Sequence, residues 1–376
     1  MRDLARLRTE IDEIDRQMVK LYADRMQLAA EVAEYKISVG KPVLDRERER
    51  TKLNALEELA DSDFMRHGIR ELFEQIMSMS RKKQYQLLTE HGMAAEQEFT
   101  GVDGVKRAGV RVVFQGVEGA YSQQAMRTFF GEGCDGLSVE TWKDAMEAIA
   151  DKRADYAVLP IQNSSAGIVP ENYDLLVQYD NYIVGEQILK IDHALLALPE
   201  AKPDDIACIF SHPQALMQCS AYLDGRREVE KISVKNTAEA AKKVREDADP
   251  RQAAIASALT AEIYGLKVLE HAIQNNKNNS TRFIIVSGEK QYQRNAENIS
   301  ICIEIPHESG SLYRVLSHFI YNGLNMTNIQ SRPIPERNWE YRFFIDFEGR
   351  LTDHAVTNAL RGLAEEANFL KILGTY

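Results

Sequence analysis

The chain has 376 residues, 44% of them apolar and 27% charged, enough for two or three domains with cores of their own. Its 46 basic residues stand against 57 acidic ones, a formal net charge of −11, which argues against nonspecific nucleic-acid binding or attachment to an anionic membrane. No run approaches about 20 uninterrupted apolar residues. The N-terminal stretch is charged throughout, and the cysteines and histidines show no CxxC, HxxxH or HExxH spacing. Reduced thiols, a cytoplasmic location and no metal site are therefore expected.

Residues 1 to about 92 read as helix. Leu4, Leu7, Ile11, Ile14, Met18, Leu21, Leu28, Val32 and Tyr35 alternate at three and four residues, the seam of a long coiled-coil-like helix. Gly40-Lys41-Pro42 ends it. A second helix is expected from about Asp45 to Leu59. A third is expected from Asp63 to Leu88, with Ile69, Phe73, Ile76, Met77 and Leu87 on one face.

Each helix places polar groups in its own apolar stripe. Arg25 continues the first seam, Glu49 sits one turn before Leu53 and Leu56, and Ser80 with Gln84 continues the face of Phe73 and Met77. A buried charge is costly unless paired. One such residue would serve register control. All three helices doing so suggests a polar pocket inside a bundle. The cations Arg8, Arg25, Lys36 and Arg48 suit a small, multiply anionic ligand, although each alone could be a solvated charge.

This set resembles the all-helical chorismate mutases: Leu7-Arg8, the Ala-Asp-Arg ending at Arg25, Lys36, the KPVLDRERE run with Asp45, Arg48 and Glu49, and Ser80 with Gln84. The resemblance implies an intertwined dimer in which Arg8 reaches the partner's site. It implies that Arg8, Arg25 and Arg48 hold the carboxylates of chorismate. Lys36 and Gln84 would donate to the ether oxygen, Glu49 would accept from the ring hydroxyl, and Asp45 and Ser80 would support. That rearrangement needs no nucleophile or cofactor, only a folded reactive conformer and donors where charge gathers.

Residues 93–109 lack periodicity and read as a linker. From Val110 the pattern becomes α/β, with the runs VRVVF, YAVLPI, NYIVGEQIL, HALLAL, IACIF, AAIAS and RFIIVS between helical stretches. A mostly parallel sheet is expected, as one domain or two lobes around a cleft. Polar loops follow or precede these strands, where open α/β sheets place ligands: Gly116 to Ser122, Gln162 to Gly167, Ser211 to Gln218, and Asn275 to Ser280 before Thr281-Arg282-Phe283. His212 in the third invites a role as an acid, but a lone histidine before proline is more often structural.

Together these pieces resemble prephenate dehydratase. The resemblance implies that Thr281 is essential, and its high pKa makes it a positioned hydrogen-bond donor rather than a strong acid. Ser122, Asn163, Ser164, Ser211 and Gln218 would contact or orient prephenate. Arg282 would hold the side-chain carboxylate or form a structural ion pair. Gln162 departs from the family's usual glutamate.

Residues 298–376 read as βαββαβ, the ferredoxin-like order. Gly310-Ser311-Leu312 and Gln330-Ser331-Arg332-Pro333 resemble the phenylalanine-binding stretches of ACT domains, with Ser311 for alanine and Gln330 for glutamate. Feedback inhibition by phenylalanine is implied.

The expected organisation is multidomain: a helical mutase bundle (1–92), a linker, a two-lobed α/β dehydratase resembling periplasmic binding proteins (110–287), and an α+β ACT segment (298–376). The expected chemistry is chorismate to prephenate, then decarboxylation and dehydration to phenylpyruvate. No cofactor is expected, and the chain should form a homodimer or higher homo-oligomer. Arogenate preference in the middle segment and a sensor without turnover are the rival readings.

Overall fold

A computed structural model describes residues 3–93, 98–335 and 337–376. The chain divides into two compact units. One comprises Met1–Gln97 and Cys302–Leu370, the other Glu98–Ile301 and Lys371–Tyr376. The helical segment and most of the C-terminal segment, distant in sequence, thus form one body.

In the first unit, α1 (Leu4–Val39), α2 (Arg46–Glu57) and α3 (Asp63–Glu90) start at the capping side chains of Asp3, Asp45 and Ser62. Gly40, at φ 68°, closes α1 in the left-handed conformation that favours glycine. Arg25 of α1 meets Ser80 of α3, and Glu34 meets His91 just beyond α3, so the two helices run parallel. The expected seam of α1 is almost wholly exposed: Ala33 is its one buried residue, while Ile14 is 56% and Leu21 68% exposed. Along this 36-residue helix it is the apolar stripe that faces outward, unpartnered among the described residues of one chain.

The C-terminal segment has strands Asn298–Glu304, Met326–Pro333, Tyr341–Glu348 and Phe369–Thr375, and helices Ser311–Tyr321 and His354–Glu366. Its strands lie in the order second, third, first, fourth, the ferredoxin-like arrangement. Both helices pack on α3. They pack closely on each other because a Cβ at Gly362 would stand 2.3 Å from the His318 ring.

The second unit has two lobes with separate cores. The first core includes Val112, Val158 and Ile285, and the second Leu196, Ile209 and Ile255. The first lobe orders its strands Asp135–Val139, Arg111–Gln115, Tyr156–Asn163, Ser280–Ser287 and Tyr182–Lys190. The second orders them Lys267–Glu270, Ala194–Ala197, Gln252–Ala256, Cys208–Ser211 and Glu230–Ser233.

The sheets are mixed, which corrects the expectation of a mostly parallel one. Ser280–Ser287 is antiparallel to both neighbours, and Ala194–Ala197 to both of its own. The chain leaves the first lobe near residue 191 and returns near 279, and a strand entered on that return runs opposite to those laid down before. The expected linker is also partly ordered. Residues 94–97 lie outside the described residues, but Thr100–Val102 pairs in parallel with Gln291–Gln293. A three-residue backbone pairing leaves no periodic signature.

Candidate functional sites

In the helical segment the expected residues gather around the line between α1 and α3. Arg25 donates from Nη1 to Ser80 Oγ at 2.5 Å, and Lys36 Nζ to the Val43 carbonyl at 2.5 Å. With the helices parallel, Gln84 lies one turn beyond Ser80, between Arg25 and Lys36 along the bundle. Gln84 is 7% exposed and its buried Oε1 has no partner among the described residues. A buried amide with an unmet acceptor is costly in a finished core and is expected where a ligand completes the set.

Burial pushes both Arg25 and Lys36 below their ordinary pKa, opposed by the nearby charge of Glu49 in each case. Glu49 therefore lies within electrostatic reach of both cations. Its carboxylate is also held by Arg81, whose Nη1 donates to both oxygens at 2.7 and 2.6 Å.

Asp45 and Arg48, at the start of α2, lie close enough to act on the Lys36 charge, and only Arg8 stands apart. Asp45 Oδ1 accepts the Arg48 backbone N–H at 3.0 Å, an N-cap that shapes the start of α2. Arg48 is exposed. Arg8 is exposed near the start of α1, 17 residues before Arg25, or about 26 Å along one continuous helix. It cannot reach the Arg25 cluster of its own chain.

In the second unit a polar cluster joins the lobes. Asn163 ends a first-lobe strand and faces Thr281 across an antiparallel pair. The Asn163 amide oxygen accepts backbone N–H groups of Ser165 and Ala166 at 2.9 and 2.8 Å. That saturation fixes the amide's orientation. Its Nδ2 donates to Thr281 Oγ1 at 2.9 Å and to Asn279 Oδ1 at 2.9 Å. From the second lobe, Gln218 Nε2 donates to Asn163 Oδ1 at 3.3 Å. Its Oε1 accepts from Asn279 Nδ2 at 3.1 Å and from His193 Nε2 at 2.9 Å. His193 Nδ1 lies 3.0 Å from the Tyr121 hydroxyl. Burial holds the imidazole below its ordinary pKa, opposed by the Gln218 contact and by Asp192, so it is neutral at pH 7 and acts as a fixed dipole.

Thr281 thus accepts a hydrogen bond from a group that cannot take its proton. Only 8% exposed, it keeps its own O–H for a ligand. Residues at 163 and 281 share one face of the sheet, and those at 162 and 282 the other. Arg282 accordingly pairs with Glu186 at 2.7 Å and stacks on Tyr376, and it does not join Thr281. Gln162 is on that opposite face as well.

Ser211 Oγ donates to the Ile255 carbonyl at 2.7 Å, and His212 Nδ1 accepts the Gln214 N–H at 3.2 Å, so both support the strand–helix turn. Ser164 Oγ accepts the Ser280 N–H at 2.9 Å and fastens the two loops. Ser122 is buried one residue from Tyr121 and makes no hydrogen bond to the cluster. The glycine loop's amide at Gly119 is occupied by Gln123 Oε1 at 2.7 Å. Tyr121, His193 and Asn279 were not singled out by the sequence reading. Tyr121 and Asn279 sit inside stretches marked for their composition. His193 carried no signal, since its partners are remote in sequence.

In the C-terminal segment Gly310, at φ 78°, opens the first helix. With Ser311, Leu312, Pro306 and Tyr341 it lines a cavity of about 210 Å³. Ser311 Oγ accepts from Arg314 Nη2 at 3.0 Å. Gln330, Ser331, Arg332 and Pro333 lie on the edge strand Met326–Pro333 and do not line that cavity within one chain. Gln330 Nε2 donates to Asn328 Oδ1 at 3.1 Å. Among the described residues no group of three or more His, Cys, Asp or Glu side chains could hold a metal ion. No helix among them is long and apolar enough to cross a membrane.

Comparison with known proteins meets this geometry segment by segment. The profile of the family Chorismate mutase type II matches residues 7–85, and that of Prephenate dehydratase residues 112–291. A bifunctional chorismate mutase/prephenate dehydratase of Neisseria gonorrhoeae is 33% identical over 372 residues, covering 98% of this chain and 95% of that one. Arogenate dehydratase/prephenate dehydratase 1 of Arabidopsis thaliana is 38% identical over 283 residues, 71% of this chain and 72% of that one. The crystal structure of prephenate dehydratase from Arthrobacter aurescens in complex with L-Phe superposes with a TM-score of 0.66 at 30% identity, covering 71% of this chain and 89% of that one. End-to-end similarity to the first of these, with both profiles in the same order, settles the assignment: the chain belongs to the family of bifunctional chorismate mutase/prephenate dehydratases.

Proposed function

We propose that the helical segment rearranges chorismate to prephenate and that the inter-lobe cleft converts prephenate to phenylpyruvate, two steps of phenylalanine biosynthesis. Arg25 and Arg48, with Arg8 of a second copy, hold the chorismate carboxylates. Lys36 and Gln84 donate to the ether oxygen as its bond to the ring breaks and the new C–C bond forms. Glu49 accepts from the ring hydroxyl, while Asp45 and Ser80 hold α2 and Arg25 in place.

In the cleft Thr281 donates to the departing ring hydroxyl. The ring carboxylate leaves as CO2, its bonding pair enters the ring, and the hydroxyl leaves as water with a proton drawn from solvent by way of the Thr281 hydroxyl, which ends neutral. Asn163 and Gln218 orient Thr281 and the substrate. Little water around the carboxylate favours its loss. Ser122, Ser164 and Ser211 shape the loops, and Arg282 serves as an ion pair with Glu186.

The C-terminal segment is read as an ACT domain. Phenylalanine would bind at Gly310, Ser311 and Leu312, with Gln330, Ser331, Arg332 and Pro333 supplied from a second copy's edge strand. The exposed stripe of α1 supports a homodimer. The observation that carries the reading is the Arg25–Gln84–Lys36 line with its buried amide, on the same chain as a threonine whose proton has no acceptor among the described residues.

The test incubates the purified chain with chorismate and a chelator and follows products by mass spectrometry. Phenylpyruvate after a prephenate lag is expected. Prephenate that accumulates and stops, with arogenate turned over instead, would reassign the cleft's substrate. Unaltered chorismate would overturn the mutase reading.

A further inference from the structure

The last turn of the helix His354–Glu366 ends in two consecutive carboxylates, Glu365 and Glu366, with no basic residue beside them. The helix dipole makes this the unfavourable end for negative charge. Both carboxylates reach partners in the helical segment, and Glu366 pairs with His318 of its own segment as well. Glu365 Oε2 accepts the Leu44 backbone N–H at 3.0 Å and the Tyr85 hydroxyl at 2.7 Å. Glu366 Oε1 accepts from Arg81 Nη2 at 2.7 Å. Arg46 Nη2 donates to the Glu365 carbonyl at 3.0 Å and so satisfies an end of the helix that carries no capping side chain.

Arg81 is 6% exposed and lies between two carboxylates from different parts of the chain. One is Glu49, which lies within electrostatic reach of Arg25 and Lys36, and the other is Glu366. Burial would push the Glu366 carboxyl up, but His318 and Arg81 bring it down to about 2, so it stays ionised over the working range. The turn that Glu365 grips carries Val43, whose carbonyl takes the Lys36 ammonium. Two members of the candidate mutase site are therefore tied to one end of one C-terminal helix.

We propose that Arg81 is a positioning residue for the mutase reaction, fixing the Glu49 carboxylate toward the site while anchored by Glu366, so that the C-terminal segment sets the geometry in which chorismate is bound. The inference rests on the reading of Glu49 as a substrate contact. Arg81 itself touches no substrate. Its guanidinium fork serves two acceptors at once, which an ammonium serves less well.

The test uses the full chain and measures kcat and KM for chorismate together with prephenate turnover. Arg81→Met is expected to lower kcat/KM for chorismate roughly tenfold, the loss of one charge-assisted contact, mainly through KM, with prephenate turnover unchanged. Arg81→Lys should recover part of the loss. Glu366→Gln, which keeps the side chain's shape, should move KM the same way by a smaller factor. It should add nothing in the Arg81→Met background, because the two act as one unit. If Arg81→Met fails to fold, Glu366→Gln carries the same test. Unaltered chorismate kinetics in Arg81→Met and Glu366→Gln, or full additivity of the two, would overturn the proposal. Glu49→Gln separates the failures: if it is impaired while Arg81→Met is not, the positioning role falls alone, and if it too is unaltered, the reading of Glu49 falls and the proposal with it.

Discussion

Two backbone N–H groups, from Ser165 and Ala166, occupy the amide oxygen of Asn163, and its NH2 end must then face Thr281. The hydroxyl of Thr281 is left as a donor aimed at the leaving group. Thr281→Ala should lower prephenate turnover by about 10²–10³, the usual cost of one transition-state donor, and leave chorismate loss unchanged. Thr281→Ser should keep much of the rate. Asn163→Asp is the sharper experiment. It replaces a donor with an acceptor that takes the Thr281 proton, so steady-state turnover should fall to the level of Thr281→Ala. A rate near wild type would remove this role for Asn163. In the other site Gln84→Ala should abolish chorismate loss, by about 10² or more, with prephenate turnover intact. Equal damage to both activities would contradict two separate sites. The threonine, the asparagine and Gln218 were readable from strand-end loops and family resemblance. The imidazole of His193, which holds Gln218, was not, because a histidine before an apolar strand looks the same whether its partners are Tyr121 and Gln218 or none.

The packing of α3 shows where local pattern stops being informative. The starts of the three helices follow from the caps Asp3, Asp45 and Ser62 and the end of α1 from Gly40, of which Asp45 and Gly40 were marked by the sequence pattern. The strands of the second unit were legible as apolar runs, yet their directions were not, since antiparallel pairing of Ser280–Ser287 depends on the chain crossing between lobes. Likewise nothing local in the run Arg81-Lys82-Lys83 marks it as buried, yet Arg81 and Lys82 are buried against the C-terminal helices. Lys82 Nζ donates to Ser317 Oγ at 2.7 Å, and burial pushes its pKa down to about 8. The sign of the linkage is definite. Between about pH 8 and the unfolded value near 10.4, the unfolded chain holds a proton that the native chain has lost, so the lysine's contribution to stability rises with pH across that window. Lys82→Met removes the buried charge. Its unfolding free energy relative to wild type, from denaturant titrations, should therefore be most favourable below pH 8 and decline toward pH 10. A difference independent of pH would show that Lys82 is solvated in the native chain.

At the scale of the whole molecule the exposed stripe of α1 and the position of Arg8 point the same way. Eight of the nine seam residues read from the sequence, from Leu4 to Tyr35, stand exposed on a single chain, an apolar surface that water does not tolerate over such a length. Arg8 meanwhile sits about 26 Å of helix away from Arg25. A second copy would cover the stripe and deliver Arg8 to the site it cannot reach in its own chain. The periodicity made the seam legible, but whether such a seam faces its own chain or another is a property of the assembly. Complementation distinguishes the two. Arg8→Ala and Gln84→Ala chains should each lose chorismate turnover. When they are unfolded together, mixed equally and refolded, half of the dimers pair one of each. In such a hybrid one site has an intact Gln84 and receives an intact Arg8, while the other site lacks both. Mutase activity should therefore return to about a quarter of wild type per chain, as expected for a two-fold assembly that shares its sites. If Arg8 served its own chain's site, every site in the mixture would carry one lesion, and the activity would stay at the level of the separate variants.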